Sequence, residues 1–345
     1  MEFYFDIDFL NSLKSIRLED SVFNDFKVFM LRFSNVKIFI VLKKEINFVE
    51  LDSNPFYEAL STYCTPEIIE MDSLEKTLKN DVGTGFKYFF LDGIRSNLIC
   101  NDYGFFALNS IELNEKWKCF NTRDDLEKYI SRDIGRYNFT SWSDLSEFIF
   151  PINSVVIVDR YIFNTRYGLK YNLFSLLESI GLKPLNKRKV DIVIIGNEYF
   201  GYLEKKKEAE KKKLKYAGNE EFIEAFNLLN SKLIEIFGKD DCYNLTFLRT
   251  DKETTPTVTE LHMRAVITNT LIIKCGTSFA FMEDFNKINQ KNTEYINFGF
   301  FLNSSSRGVN KEPLLLLNKA FSKIEDKSGV LKVKLHNAKK CRLFN

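Results

Sequence analysis

The chain has 345 residues, 45% of them apolar and 15% aromatic, with 34 Phe, a composition that excludes disorder as its general state and suffices for two full cores. No apolar run approaches the ~20 residues of a membrane-spanning helix, and the start Met1-Glu2-Phe3-Tyr4-Phe5-Asp6 has no basic segment ahead of an apolar one, so the expectation is a cytoplasmic chain without a secretory signal. The net charge of +2 conceals an asymmetry: residues 1–150 carry 17 Lys and Arg against 25 Asp and Glu, whereas residues 151–345 carry 32 against 22.

In the acidic half, Val22 to Phe33 has the apolar spacing of an amphipathic helix, and Val36 to Leu42 is a β-branched strand. Gly83-Thr84-Gly85 is a turn, and Phe86 to Leu91 is a second strand running into Asp92-Gly93. Arg123 to Ile134 reads as a helix with Asn121 or Thr122 available as its cap. Acids at strand ends can hold a divalent metal, which groups Asp6, Asp8 and Asp92, but the turn-forming tendency of Asp-Gly accounts for Asp92 more simply. No metal or cofactor is expected. Residues 1–150 are read as an α/β or α+β domain of unassigned family. With no Gly/Ser linker, the boundary near Pro151 predicts a packed junction.

The basic half, 151–345, begins with a strand from Ser154 to Phe163 that passes through Asp159-Arg160-Tyr161. A helix at Asn172–Ile180, a buried strand at Val190–Gly196, a helix at Phe222–Phe237 stopped by Gly238, and a strand at Tyr243–Arg249 follow. Between them, Leu203 to Lys215 holds seven Lys and three Glu and reads as a solvated surface segment. Next come a strand around His262, a strand at Thr270–Lys274, and a tail in which Lys332, Lys334, Lys339, Lys340 and Arg342 alternate in part with Val333 and Leu335.

The informative stretch is Leu261-His262-Met263-Arg264-Ala265-Val266-Ile267-Thr268-Asn269, followed by an apolar run to Gly276-Thr277-Ser278-Phe279. On a strand, His262 and Arg264 project from one face. Arginine can engage two phosphate oxygens with its planar fork and stays charged near neutrality. The order resembles the signature of the phospholipase D superfamily, H-x-K, four residues, D, six residues, then G-[GST], with Arg264 in the lysine place, Asn269 in the aspartate place and Gly276-Thr277 as the small-residue turn. Residues 151 to about 305 are also similar to the phospholipase D-like domain that ends MIT-type trafficking proteins, with its strand running into an Asp-x-Tyr step.

The resemblance implies a mixed-sheet α/β domain with His262, Arg264 and Asn269 as catalytic positions and Arg264, Thr277 and Ser278 as phosphate contacts. In such families one imidazole attacks phosphorus and another protonates the leaving oxygen. The chain has only two histidines, and the surroundings of His336 do not repeat the pattern. Catalysis by that route therefore requires a homodimer that pairs two copies of His262. The expectation is a phosphodiester- or nucleic-acid-binding subunit with a degenerate site, its DNA or RNA affinity raised by the basic tail. A metal-independent dimeric phosphodiesterase or nuclease, and a structural subunit docking a protein partner through the acidic half, are the alternatives. The Lys-, Asn- and Phe-rich composition is associated with AT-rich bacterial genomes, where such units are expected in antiviral systems. The six cysteines, at 64, 100, 119, 242, 275 and 341, show no C-x-x-C pair and are expected to be free thiols rather than zinc ligands.

Overall fold

The computed structural model describes residues 1–15, 36–42, 48–80, 86–92, 94–116, 131–133, 141–148, 150–159, 162, 168–196, 219–249, 264–276, 279, 282–284, 287–288, 295–300, 332–334, 341 and 343. It is an α/β protein built on two main sheets. The predicted helix at Val22–Phe33 and the charged run Leu203–Lys215 lie outside the described residues. Among the described residues no helix is long and apolar enough to cross a membrane.

The first sheet contains β1 (Glu2–Asp6), β2 (Lys37–Leu42), β3 (Glu67–Glu70), β4 (Lys87–Phe90) and β5 (Phe106–Leu108), in the order β3-β2-β1-β4-β5 and parallel throughout. Its helices are α1 (Ile7–Ser15), α2 (Phe48–Asp52), α3 (Pro55–Tyr63), α4 (Met71–Asn80), α5 (Ile94–Leu98), a π-helical turn at Ile99–Tyr103, and α6 (Ser110–Lys116). A parallel sheet is covered on both faces, so its strands are apolar on both sides instead of alternating. Phe-rich strands meet that demand. Phe5 stacks on Phe90 at 5.0 Å on one face, and Tyr4 stacks between Phe39 at 4.7 Å and Phe89 at 4.6 Å on the other. The chain builds outward from β1 to β3, then returns to place β4 on the opposite side of β1. The order therefore reverses between β1 and β4.

The second sheet is mixed, in the order β15-β9-β8-β7-β10-β11-β14-β6. Here β7 (Ser154–Val158), β8 (Val190–Gly196) and β9 (Tyr243–Arg249) are parallel. β6 (Ser131–Asp133), β10 (Ala265–Thr268), β11 (Leu271–Cys275), β14 (Tyr295–Phe300) and β15 (Lys332–Lys334) join antiparallel. β12 (Met282–Asp284) and β13 (Lys287–Ile288) form a separate pair. A π-helical turn at Gly168–Phe174 leads into α7 (Ser175–Ser179), and α8 (Asn219–Phe237) ends at Gly238, whose φ of 76° suits a glycine stop.

The spacing that predicts a helix from Arg123 to Ile134 fails over its last turn. Residues 131–133 instead pair with Asn297 to Tyr295 as the edge strand β6, a long-range pairing that a local pattern does not carry.

The two sheets share one continuous apolar core, joined through Trp142, Leu145, Phe150 and Ile152, with Phe106 and Phe150 at 5.6 Å. Gly104 enables the close approach. Its φ is +66°, and a Cβ there would lie 2.8 Å from the Ile152 carbonyl oxygen. Alongside, Asn186 and Lys187 donate their amide N–H groups to the carbonyls of Asn101 and Asp102, and Lys187 Nζ sits 2.8 Å from an Asp102 oxygen.

Candidate functional site

Of the phosphate-motif residues, Arg264 and Gly276 lie at the end of the second sheet where β7, β8 and β9 end and β10 begins. The Arg264 carbonyl accepts the Cys275 amide N–H at 3.2 Å, and Asp159 donates its own amide N–H to Ile195 at 3.1 Å, so both residues continue their ladders. Ala265 pairs with Val158, and the same register places Arg264 opposite Asp159. Strand alternation then sorts the side chains. Ala265, Val158 and Ile272 line one apolar cluster, whereas Val266, Ile157 and Cys275 line the other, so Arg264 and Asp159 share the second face and Lys274 falls on the first.

Asp159 has no exposed surface, and its Oδ2 accepts the Phe279 amide N–H at 2.6 Å. Phe279 is equally buried and packs on Trp142 at 6.0 Å. A carboxylate from β7 thereby anchors the chain three residues after Gly276. His262, Thr277, Ser278, Lys339, Lys340 and Arg342 lie outside the described residues, while Lys332 and Lys334 belong to β15. With β9, β8 and β7 standing between β15 and β10, that strand is about 19 Å from Arg264 at the usual inter-strand spacing. The structure thus does not bring the two described lysines of the tail to the Arg264 edge.

Asn269 is also elsewhere. It occupies the tight turn between β10 and β11, the far end of β10 from Arg264, about 16 Å away by strand rise. Its amide is fully engaged: Oδ1 accepts the Asn153 amide N–H at 3.1 Å, and Nδ2 donates to the carbonyls of Gly104 at 3.1 Å and Pro151 at 3.2 Å. A residue that the resemblance implies to be catalytic is, in the fold, a staple between the two sheets.

A second polar cluster lies at the carboxyl end of the first sheet, where the strand order reverses and α/β folds commonly bind ligands. Asp6 ends β1, is fully buried, and accepts the Phe9 amide N–H at 2.7 Å as the cap of α1. The same Oδ1 faces the Asp92 amide at 3.4 Å, and Arg95 Nη1 lies 3.4 Å from Oδ2. Burial pushes the Asp6 carboxyl up to about 6, against the Phe9 and Asp92 amides and Arg95, with the Asp8 charge adding to the rise.

Asp92 is more than a turn residue. Its Oδ2 accepts from the Ser12 hydroxyl and its Oδ1 accepts the Ser110 amide N–H at 2.8 Å, tying β4 to α1 and α6. Beside it, Asn11 bridges Glu50 at 2.7 Å and Asn54 at 3.1 Å. Of the acids grouped from sequence, Asp6 and Asp92 are joined through the Asp92 backbone amide; among the described residues no three His, Cys, Asp or Glu side chains form a ready metal cage. Ser12 and Arg95 escaped the sequence reading, and Asp159, noted there as the acid ending a strand, was given no role in the site.

Cys64, Cys100, Cys242, Cys275 and Cys341 are free thiols, and burial pushes those of Cys64 and Cys242 up. Comparison with protein-family models, with curated proteins and with solved structures gave no match to this chain.

Proposed function

We propose that this chain binds nucleic acid and engages its phosphodiesters at the Arg264 edge of the second sheet, in the manner of a degenerate phospholipase D-like unit. The observation that carries the reading is Arg264 at the mouth of the parallel strands β7 to β9, opposite Asp159, within a half of the chain that holds 32 Lys and Arg against 22 Asp and Glu. A guanidinium held at a strand end can grip phosphate oxygens, and a basic surface supplies sequence-independent affinity through counterion release. Binding of labelled single- and double-stranded DNA and RNA across a salt series tests this. Affinity should fall steeply with salt and drop in Arg264→Ala.

A second reading has its own observation. A carboxyl raised to about 6 accepts a proton near neutrality, and Asp6 sits beside Asp92 at the strand-order reversal. This favours phosphodiester cleavage with Asp6 and Asp92 as the working carboxylates, which would act on a phosphate only with a divalent cation between them. Cleavage assays with and without EDTA separate the routes. EDTA-resistant cleavage lost in His262→Ala supports the imidazole route, and EDTA-sensitive cleavage lost in Asp6→Asn and Asp92→Asn supports the carboxylate route. Retained affinity without cleavage leaves a binding subunit, and absence of affinity at low salt rejects the nucleic-acid reading.

A further inference from the structure

We infer that Arg95 is the residue that holds the substrate phosphate at the carboxyl end of the first sheet, beside Asp6 and Asp92. The inference rests on the carboxylate route and names the cation that this route requires. Arg95 lies on α5, three residues after Asp92, and its side chain reaches from the β4 side to Asp6 at the end of β1. It stands where the strand order reverses, the place at which α/β sheets open a crevice for ligands.

The one described hydrogen bond of Arg95 runs from Nη1 to Asp6 Oδ2 at 3.4 Å. A closed arginine–carboxylate pair has N–O distances of about 2.7–2.9 Å and is commonly bidentate, so this pair is open. Burial is the largest influence on the Asp6 carboxyl and the Arg95 charge the smallest. The guanidinium is thus not consumed in neutralising the acid. It carries five N–H donors in one plane, and a single long contact leaves a pair of them for two oxygens of one phosphate. Exposure agrees: the Arg95 side chain is 27% exposed and that of Asp6 1%, so an anion arriving from solvent meets the arginine before the carboxyl. Asp6, Asp8 and Asp92 would repel a phosphate ester, and the charged groups that act on Asp6 are Asp8 and Arg95. Arg95 is the cation of that set, and a fixed cation against phosphate oxygens is what phosphoryl chemistry calls for. The competing role is a counter-ion that only balances Asp6.

The two roles separate in the full chain carrying isotopically labelled arginine, read by nuclear magnetic resonance at the Arg95 Nε–Hε signal while inorganic phosphate is added without metal. Arg95→Lys, which lacks that signal, assigns it. A phosphate-holding residue gives a saturable shift in the wild type. Asp6→Asn removes the competing charge, keeps an acceptor for the Phe9 amide, and should tighten phosphate about threefold or more. A counter-ion gives no saturable shift in either protein. In EDTA-sensitive cleavage of a single-stranded oligonucleotide, Arg95→Ala should raise KM about tenfold or more, and Arg95→Lys, which keeps the charge without the fork, should recover part of it. A flat Arg95 signal, or a KM that Arg95→Ala leaves unchanged, overturns the inference while cleavage that depends on Asp6 and Asp92 keeps the carboxylate route. A saturable shift at Arg95 without EDTA-sensitive cleavage rejects that route and leaves the phosphate site, and a flat signal without cleavage rejects both. A thermal melt of each variant confirms folding.

Discussion

Restoring the aspartate that the phosphodiester motif calls for, by Asn269→Asp, should damage the protein. The Asn269 Nδ2 group donates to two carbonyl oxygens, of Gly104 and Pro151, in a site where the residue is 7% exposed. A carboxylate has no N–H to give. It would leave both carbonyls unsatisfied, at about 1–3 kcal/mol each, and turn a negative charge toward them with no cation among the groups that bond the side chain. An uncompensated buried charge of this kind costs roughly 3–5 kcal/mol, a large part of the ~5–15 kcal/mol of a typical domain. Asn269→Ala, which loses the same bonds without adding charge, should cost less.

The pH dependence has a definite sign. Burial would push the introduced carboxyl up, so the destabilisation is greatest at neutral pH and shrinks as pH falls toward the ordinary carboxylate range. Urea unfolding of wild type, Asn269→Asp and Asn269→Ala at about pH 7 and about pH 5 reads this out. An Asn269→Asp protein within about 1 kcal/mol of wild type, or one that gains phosphodiesterase activity, would refute the assignment of Asn269 as a staple.

Gly104→Ala should destabilise by more than about 2 kcal/mol, from left-handed backbone strain and from overlap with the Ile152 carbonyl and Leu185. Gly238→Ala, with φ +76° and nothing within 4 Å, should cost only about 1–2 kcal/mol, and thermal melts of the two rank them. Asp6→Asn should flatten the acid side of the stability profile. The Asp6 carboxyl rises from 3.8 to about 6 in the fold, so its contribution is fully present below pH ~4 and is lost as pH rises through 6. That shift amounts to about 3 kcal/mol in favour of the neutral side chain at pH 7, and unfolding midpoints from about pH 4 to about pH 8 test it. Burial alone would raise Asp102, but its bonds to Lys187 and Asn186 prevail and lower it, so its contribution is lost as pH falls below the ordinary carboxylate range. Asp102→Ala should therefore cost more than Lys187→Ala, since it also releases Asn186 Nδ2 at 2.8 Å, and urea midpoints of the pair compare them.

Local pattern carried several strands of both sheets and the long helix of the second, but none of the helices around the first sheet. Val36–Leu42, Phe86–Leu91, Val190–Gly196, Tyr243–Arg249 and Phe222–Phe237 emerge within a residue or a few of their observed bounds, because β-branched runs and 3.6-residue spacing act over short distances. The strand β1 was not legible as such. Phe3-Tyr4-Phe5 is apolar without alternation, and only the parallel neighbours β2 and β4 make it a central strand. The site was legible in part for the same reason. Spacing puts Arg264 on a strand, but it cannot reveal that the strand begins only at Ala265, that Asn269 reaches back to Gly104, 165 residues earlier, or that Asp159 meets Phe279, 120 residues later. Partners across the sheet decide whether a motif position is chemical or structural, and the motif contains no record of them.

Asp6 and Asn54 allow the cost of the carboxylate at the carboxyl end of the first sheet to be compared with that of a neutral cap. Both are fully buried, and both cap a helix through a side-chain oxygen: Asp6 accepts from Phe9, and Asn54 accepts from Phe56 at 2.9 Å and Tyr57 at 3.2 Å. Capping therefore does not require a charge in this fold, and a neutral amide achieves it at α3. A helix N-terminus favours a carboxylate by a few tenths to about 1 kcal/mol, which falls short of the rise to about 6 that burial imposes on Asp6. Asparagine would cap α1 at lower cost, and the Asp6 to Arg95 contact at 3.4 Å does not close that gap. A raised carboxyl at Asp6, where a neutral amide would cap the helix as well, is the feature on which the proposed carboxylate route rests. It is the reason the carboxylate route stands beside the Arg264 edge as a reading of this chain.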